Sequence, residues 1–116
     1  MRHLVILALL APLPAAAAEL WCMPQEICDG GGCHPTTDEE TSVRLADWSV
    51  PATSMRSSAQ DVPMTRIRTG RVLEWQGVNR DGGTETLKVR RRDLSFTYVR
   101  RLVGRATSAK GWCEVQ

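Results

Sequence analysis

From Met64 to the end of the chain, apolar and polar side chains alternate with the period of two that is typical of β-strands. Turns rich in glycine or charged residues separate the alternating stretches, and no stretch has the longer period of an amphipathic helix. This half of the chain therefore predicts antiparallel strands joined by short connections.

One pairing register satisfies two successive hairpins in this region. A turn over residues 79–83 sets Trp75 opposite Leu87, and a second turn at Arg92-Asp93 then sets Leu87 opposite Tyr98. A slip of one residue would turn every side chain to the other face, so the agreement of both hairpins favours this register. The predicted apolar face consists of Leu73, Trp75, Leu87, Val89, Leu94, Phe96 and Tyr98.

The remaining segments complete a small all-β domain over residues 19–116. Residues 105–115 predict a final strand, residues 43–48 a first strand and residues 52–56 a short edge strand. Three cysteines, a glycine run and two prolines indicate an irregular lead-in over residues 19–42, which leaves residues 43–116 for the sheet. Five or six antiparallel strands around one apolar face predict a meander that closes into a barrel or a sandwich.

The first eighteen residues have the pattern of an export signal. Arg2 and His3 precede an apolar run over residues 4–13, and Ala16-Ala17-Ala18 offers small residues at a cleavage point before Glu19. The run is too short to cross a bilayer and contains two prolines, so it predicts a cleaved segment and not a transmembrane anchor. We therefore expect a monomeric protein that is periplasmic or secreted.

Export places the four cysteines in an oxidising compartment, where an even number predicts disulfides. The glycines between Cys28 and Cys33 allow the chain to fold back tightly, which favours a bridge between these two residues. Cys22 and Cys113 would then join the two ends of the domain. The sequence alone permits two other pairings, and both stay open at this point.

Charge is distributed unevenly along the mature chain. Residues 19–63 carry eight acidic and two basic side chains, whereas residues 64–116 carry twelve basic and five acidic ones. Alternation places Arg66 and Arg68 on one strand face and Lys88 and Arg90 on the polar face of the hairpin, so these four are candidate anion-binding residues. The partner would be an envelope protein or an anionic envelope component. The alternative is that charged residues only keep a small sheet soluble.

Few residues could support catalysis or metal binding. His34 is the only histidine after the signal and lies beside Cys33, so we predict no catalytic residues and no cofactor. Cys22, Cys28, Cys33 and His34 could form a Cys3His zinc site, but their spacing is unlike that of zinc modules and export favours disulfides. Nucleic acid is not an expected partner, because export separates the chain from it and stacking aromatic residues are few.

The layout, a signal followed by a stapled antiparallel domain, is similar to that of small exported lysozyme inhibitors of Gram-negative bacteria. Those inhibitors carry a Ser-Gly-x-x-Tyr loop, whereas the only tyrosine here, Tyr98, lies in a predicted strand, so no residue role is carried over. The sequence predicts an exported, non-enzymatic β-domain with a binding or structural role in the cell envelope. The alternatives are an inhibitor or anionic-ligand binder with a basic face, and a Cys3His zinc protein.

Overall fold

The computed structural model describes residues 18–36, 42–57 and 60–116. Nine strands within these residues form one antiparallel sheet. They are β1 (Leu20–Asp29), β2 (Gly32–Pro35), β3 (Val43–Leu45), β4 (Ala52–Ser57), β5 (Gln60–Arg68), β6 (Val72–Val78), β7 (Thr84–Arg90), β8 (Ser95–Leu102) and β9 (Arg105–Val115). Among the described residues, no helix has the length and apolar character that crossing a bilayer requires.

Strand β1 closes the sheet into a barrel. One edge of β1 pairs with β9, from Leu20 opposite Val115 to Cys28 opposite Ser108. Its other edge pairs with β3 near the start of the strand and with β2 near its end. Strands β3 to β9 follow one another as a meander, so eight strands form a closed barrel and β2 is an additional strand. The prediction of an all-β antiparallel meander is confirmed, and of the two forms left open by the sequence the structure has the barrel; five or six strands was too low a number.

The missing strands lie where the sequence predicted an irregular lead-in. Residues 19–42 contain β1 and β2, and in β1 Leu20, Cys22 and Pro24 are buried in alternation. The sequence did not predict these strands, because proline and a glycine run are more typical of loops than of strands. The predicted strand over residues 52–56 is β4, but its predicted edge position was wrong, because β4 pairs with β3 on one side and with β5 on the other. Residues 1–17 of the predicted signal lie outside the described residues.

The predicted register of the two hairpins is confirmed, with Trp75 opposite Leu87 and Leu87 opposite Tyr98. The predicted two-residue turn at Arg92-Asp93 was wrong, because the connection spans residues 91–94. Leu94 takes a φ of 58° there, and its N–H donates to the carbonyl of Arg90 at 2.8 Å. This conformation is unfavourable for leucine, but packing of its side chain against the core offsets the strain.

The barrel interior is filled by side chains that alternate inward from every strand except β2. Trp75 is the largest fully buried residue, and no hydrogen-bond partner within the described structure meets its indole N–H. The buried apolar residues are Leu20, Cys22, Val43, Leu45, Met55, Val62, Met64, Leu73, Trp75, Leu87, Val89, Phe96, Tyr98, Ala109 and Cys113.

Candidate functional site

The four predicted anion-binding residues do not form one group. A bulge in β5 sets Arg66 opposite Trp75 and Arg68 opposite Glu74, so the two arginines point to opposite faces of the sheet. Arg66 is half-buried and donates from Nη1 to the carbonyl of Trp48 at 3.3 Å, which is a structural contact. The prediction that Arg66 and Arg68 share a face was therefore wrong, because simple alternation does not anticipate a bulge.

Lys88 and Arg90 both lie exposed on the outer face of β7, as predicted. Glu74 lies directly opposite Lys88 and also contacts Arg68 at 3.7 Å, so an acidic group already accompanies these two cations. Arg90 has Val72 opposite it instead, and it occupies the last position of the strand. Lys88 and Arg90 both line a small hollow of about 180 Å³ on this face, and Arg90 also borders a larger concavity at the end of the strand.

That concavity is a depression of about 620 Å³ between the β5–β6 and β7–β8 loops. Its walls are formed by Gly70, Arg71, Arg90, Arg91 and Arg92, and we name it the basic depression. Among the described residues, no acidic oxygen lies within salt-bridge distance of its four guanidinium groups. Four forked cations at one concave surface suit an anion such as a phosphate, a sulfate or a carboxylate.

The backbone holds the loops of the basic depression in place. The N–H of Arg91 donates to the carbonyl of Arg71 at 3.0 Å, which ties the β7–β8 loop to the start of β6. The carbonyl of Leu94 accepts from the N–H of Cys113 at 2.8 Å, which fixes the far end of the same loop to β9. Asp93 is capped locally, because the backbone and side chain of Ser95 donate to it and lower its pKa, with help from the charge of Arg90.

A second concavity of about 500 Å³ adjoins the basic depression across the outer faces of β8 and β9, and we name it the tryptophan groove. Trp112 lies in this groove with 52% of its surface exposed. Arg90 lines the basic depression, the tryptophan groove and a smaller hollow across β6 to β8, so the three concavities share this side chain. The groove is lined by Gln25, Glu26, Arg90, Ser95, Phe96, Thr97, Lys110, Gly111 and Trp112.

The other tryptophans have structural environments. Trp75 is fully buried, and Trp48 packs against the core. Trp21 is half-buried beneath the guanidinium of Arg44, whose central carbon lies 3.8 Å from the centre of an indole ring. Trp112 is therefore the tryptophan whose ring is available to a ligand.

A cluster of polar side chains is enclosed inside the barrel around Glu85, which is fully buried. One oxygen of its carboxyl group accepts hydrogen bonds from Ser57 at 2.7 Å and from Tyr98 at 2.5 Å, and the other accepts from Asn79 at 3.0 Å. Burial, followed by the hydrogen bond to Glu85, raises the pKa of Tyr98. Because its members are buried and satisfied by one another, this cluster stabilises the fold and does not present a reactive group to solvent.

The two disulfides have the predicted pairing, Cys22–Cys113 and Cys28–Cys33. The sulfurs of Cys28 and Cys33 lie near the carboxylate of Glu26, a grouping that resembles a metal site, but bridged sulfurs are not thiolate ligands. The Cys3His zinc alternative is thereby contradicted for the oxidised protein. His34 lies exposed in β2 beside the Cys28–Cys33 bridge. Two disulfides indicate an oxidising, extracellular type of environment.

Comparison of the chain with known protein families, with curated proteins and with solved structures finds no match.

Sequence reasoning found Arg90 but missed Arg71, Arg91 and Arg92. Strand alternation assigns a face only to residues within strands, and these three lie in loops. The sequence nevertheless contained information that could have located these three arginines. The confirmed register sets Arg90 opposite Val72, so Arg71 and the arginine run at residues 90–92 must meet at the same end of the β6–β7 hairpin.

Proposed function

We propose that this protein is an exported, non-enzymatic β-barrel that binds an anionic component of the cell envelope through the basic depression. The supporting observation is the convergence of Arg71, Arg90, Arg91 and Arg92 on one concavity without an acidic neighbour at salt-bridge distance among the described residues. Export is supported by the pattern of residues 1–18 and by the two disulfides.

The alternative, that these arginines only protect the sheet and keep it soluble, explains the arrangement less well. Charged residues guard strand edges against pairing with other chains, but β6, β7 and β8 each have a partner on both edges. Solubility alone favours mixed charges spread over the surface rather than four cations around one hollow. A binding role accounts for their concentration at one end of the barrel.

The experiment measures binding of the mature protein to immobilised polyphosphate at increasing salt concentration. We expect binding at low salt that weakens as salt increases, because exposed charges are screened. Arg91→Ser combined with Arg92→Ser should weaken binding at least about tenfold, which corresponds to about 1.4 kcal/mol. Both side chains are exposed loop residues, so the variant should retain the fold.

The matched control removes the same charge at the other end of β8. Arg101 and Arg105 are exposed beside the β8–β9 turn, away from the basic depression, and both are changed to Ser. This control should bind nearly as well as the unmodified protein. If the two double variants lose affinity equally, the attraction is a general effect of net charge and the proposed site is wrong.

A further inference from the structure

The tryptophan groove exposes an aromatic ring, which a simple anion such as phosphate would not need. Trp112 exposes half of a large aromatic surface, which is costly to leave in water, and it does so inside a concavity that also contains Arg90. Lys110 and Glu26 line the same concavity and form an ion pair at 3.3 Å, so Arg90 is the cation there without an acidic partner at salt-bridge distance among the described residues. The other large apolar residues that are exposed, Ile67, Val78, Val103 and Val115, are aliphatic, and none of them lines this groove or the basic depression. An exposed aromatic ring beside an arginine suits a partner that has both a flat apolar face and negative charge.

We propose that the ligand is an acidic glycan, with a sugar ring stacked on Trp112 and its anionic groups held by Arg90 and the basic depression. This inference rests on the proposed function. The face of an indole ring is electron-rich and attracts the C–H groups on the face of a sugar ring. Ser95, Thr97 and Gln25 line the same groove and offer hydrogen-bonding groups for hydroxyls.

The shape and composition of the surface favour a glycan over other anions. The groove and the depression share Arg90, so a ligand that extends past this side chain can contact both Trp112 and Arg92. Polyphosphate has no apolar face for Trp112 to contact. A lipid would need a broad apolar patch for its acyl chains, whereas this surface offers one exposed aromatic ring among polar and charged side chains.

The experiment compares three probes by calorimetry at one salt concentration: an oligogalacturonate, its neutral methyl ester and polyphosphate. The oligogalacturonate should bind at least tenfold more tightly than its ester, because only the free acid has carboxylates for the arginines. Trp112→Ala should weaken oligogalacturonate binding at least fivefold while leaving polyphosphate binding unchanged. Ile67→Ala removes an exposed apolar side chain elsewhere on the barrel and should change neither affinity.

The outcomes separate this inference from the proposed function. Polyphosphate binding that depends on Arg91 and Arg92, together with oligogalacturonate binding that is indifferent to Trp112→Ala, would overturn the glycan assignment and retain the anion site. A fourth probe, single-stranded DNA, is measured in the same way, because bases can also stack on Trp112, and tighter binding of it than of oligogalacturonate would also overturn the glycan assignment. Failure of every anionic probe to bind would overturn both proposals.

A separate observation concerns the start of the mature chain. Ala18 already belongs to the barrel, because its N–H donates to Oδ1 of Asp47 at 3.3 Å and its carbonyl accepts from the N–H of Trp48 at 2.9 Å. Cleavage after Ala18, which the run Ala16-Ala17-Ala18 suggests, would remove both contacts from the mature chain. Ala15 and Ala17 satisfy the same small-x-small rule one residue earlier.

We infer that the export signal is cleaved after Ala17, so that the new ammonium group of Ala18 pairs with the carboxylate of Asp47. This step depends on export, which is itself part of the proposed function. N-terminal sequencing of the exported protein should give Ala18 as the first residue. A first residue of Glu19, or an unprocessed chain, would overturn the inference.

A second measurement tests the ion pair without export. Chains that begin at Ala18 should have a higher unfolding temperature than chains that begin at Glu19. Asp47→Asn keeps an oxygen for the hydrogen bonds from Ser49 but removes the charge, so it should reduce this difference. A difference that Asp47→Asn leaves unchanged would mean that the ammonium group has no ionic partner there.

Discussion

Glu85 shows how a single polar residue organises the inside of an apolar barrel. Strand alternation places it on the same face as Leu87, and the structure buries it completely. Asn79 connects it to the β6–β7 turn, since the side-chain oxygen of Asn79 accepts from the N–H groups of Asp81 and Gly83 at 3.0 and 2.9 Å. The carboxyl group thus fixes the turn relative to β4 and β8, because Ser57 and Tyr98 bond to it from those strands.

Removing the Glu85 carboxyl group should destabilise the protein strongly. Glu85→Ala leaves three buried donors without an acceptor, at a cost of about 1–3 kcal/mol for each donor. Glu85→Gln should cost less in total, because its amide oxygen still accepts, although its NH₂ group then faces the donor of Asn79. Urea unfolding measures both variants. Equal stability of Glu85→Ala and the unmodified protein would show that the cluster contributes nothing to stability.

Tyr98 should make stability depend on alkaline pH. Its folded-state pKa is raised by burial and then by its hydrogen bond to Glu85, so the fold favours the neutral phenol. The resulting contribution is complete below the unfolded pKa of about 10 and is lost as pH increases toward the folded-state value. Tyr98 is the only tyrosine, so the ultraviolet absorbance of phenolate reports on it alone.

The comparison for this titration is Tyr98→Phe, which has no ionisable group at this position. Above pH about 10, the stability of the unmodified protein should fall more steeply than that of the variant. Phenolate absorbance should appear only at higher pH than is usual for tyrosine, or together with unfolding. Parallel stability curves for the two proteins would contradict a raised pKa.

At the level of strands, the sequence predicted best where local patterns and pairing reinforce each other. Strands β6, β7 and β8 alternate regularly, so their register followed from the apolar face alone. Prediction failed where the backbone departs from regular geometry, as at the β5 bulge beside Arg66 and at the positive φ of Leu94. Neither the bulge nor the positive φ occurs at a glycine or another residue type that would have indicated it in the sequence.

The arginines of the basic depression were missed for a related reason. A strand pattern assigns a side chain to a face, but it gives no direction for a loop residue. Arg71 and Arg92 meet because the β6–β7 hairpin, with two strands of 7 residues each and the turn between them, brings together loops that are about 20 residues apart in sequence. Such a meeting requires knowledge of the register before the loops can be placed.

Gly111 lies opposite Pro24 in the seam between β1 and β9, where the barrel closes. A Cβ at this position would lie 2.2 Å from the carbonyl oxygen of Met23 and 3.0 Å from the nitrogen of Gln25. Both contacts are with backbone at the β1 bulge, so rotation of a side chain cannot relieve them. Gly111→Ala should therefore destabilise the protein by about 2–3 kcal/mol.

Gly30 provides the control for this substitution. An added Cβ there meets no atom within 4 Å, so Gly30→Ala should change stability by less than about 0.5 kcal/mol. Both variants are compared by thermal unfolding. If Gly111→Ala is as stable as Gly30→Ala, the seam between β1 and β9 is looser than the structure indicates.

For the whole molecule, closure joins segments that are distant in sequence. Leu20 pairs with Val115, and the N–H of Gln116 donates to the carbonyl of Glu19 at 2.9 Å. The Cys22–Cys113 bridge lies in the same seam and spans a sequence separation of 91 residues. Contacts between such distant segments are entropically costly to form, and a bridge that closes a long loop reduces the entropy of the unfolded chain.

A circular permutant separates this loop effect from the contacts of the bridge in the folded state. Val103 is fully exposed in the β8–β9 turn, so the chain can be opened between Val103 and Gly104. A linker of about four glycines can join Gln116 to Ala18, because β1 and β9 are adjacent antiparallel strands that a hairpin loop can connect. The permutant should form the same barrel with the same disulfides.

The cost of removing the Cys22–Cys113 bridge should then depend on chain order. In the natural order the loop approaches 100 residues, for which the chain-entropy relation gives about 4.7 kcal/mol, whereas a loop of about 15 residues gives about 3 kcal/mol. Replacing both cysteines with alanine removes the same contacts from either folded barrel. The folded-state cost is therefore equal in the two chain orders and cancels when the two changes in stability are compared. The substitution should therefore cost about 1.7 kcal/mol less in the permutant, as measured by urea unfolding. Equal costs would mean that the bridge stabilises the native seam directly, and that closure of the unfolded chain contributes little.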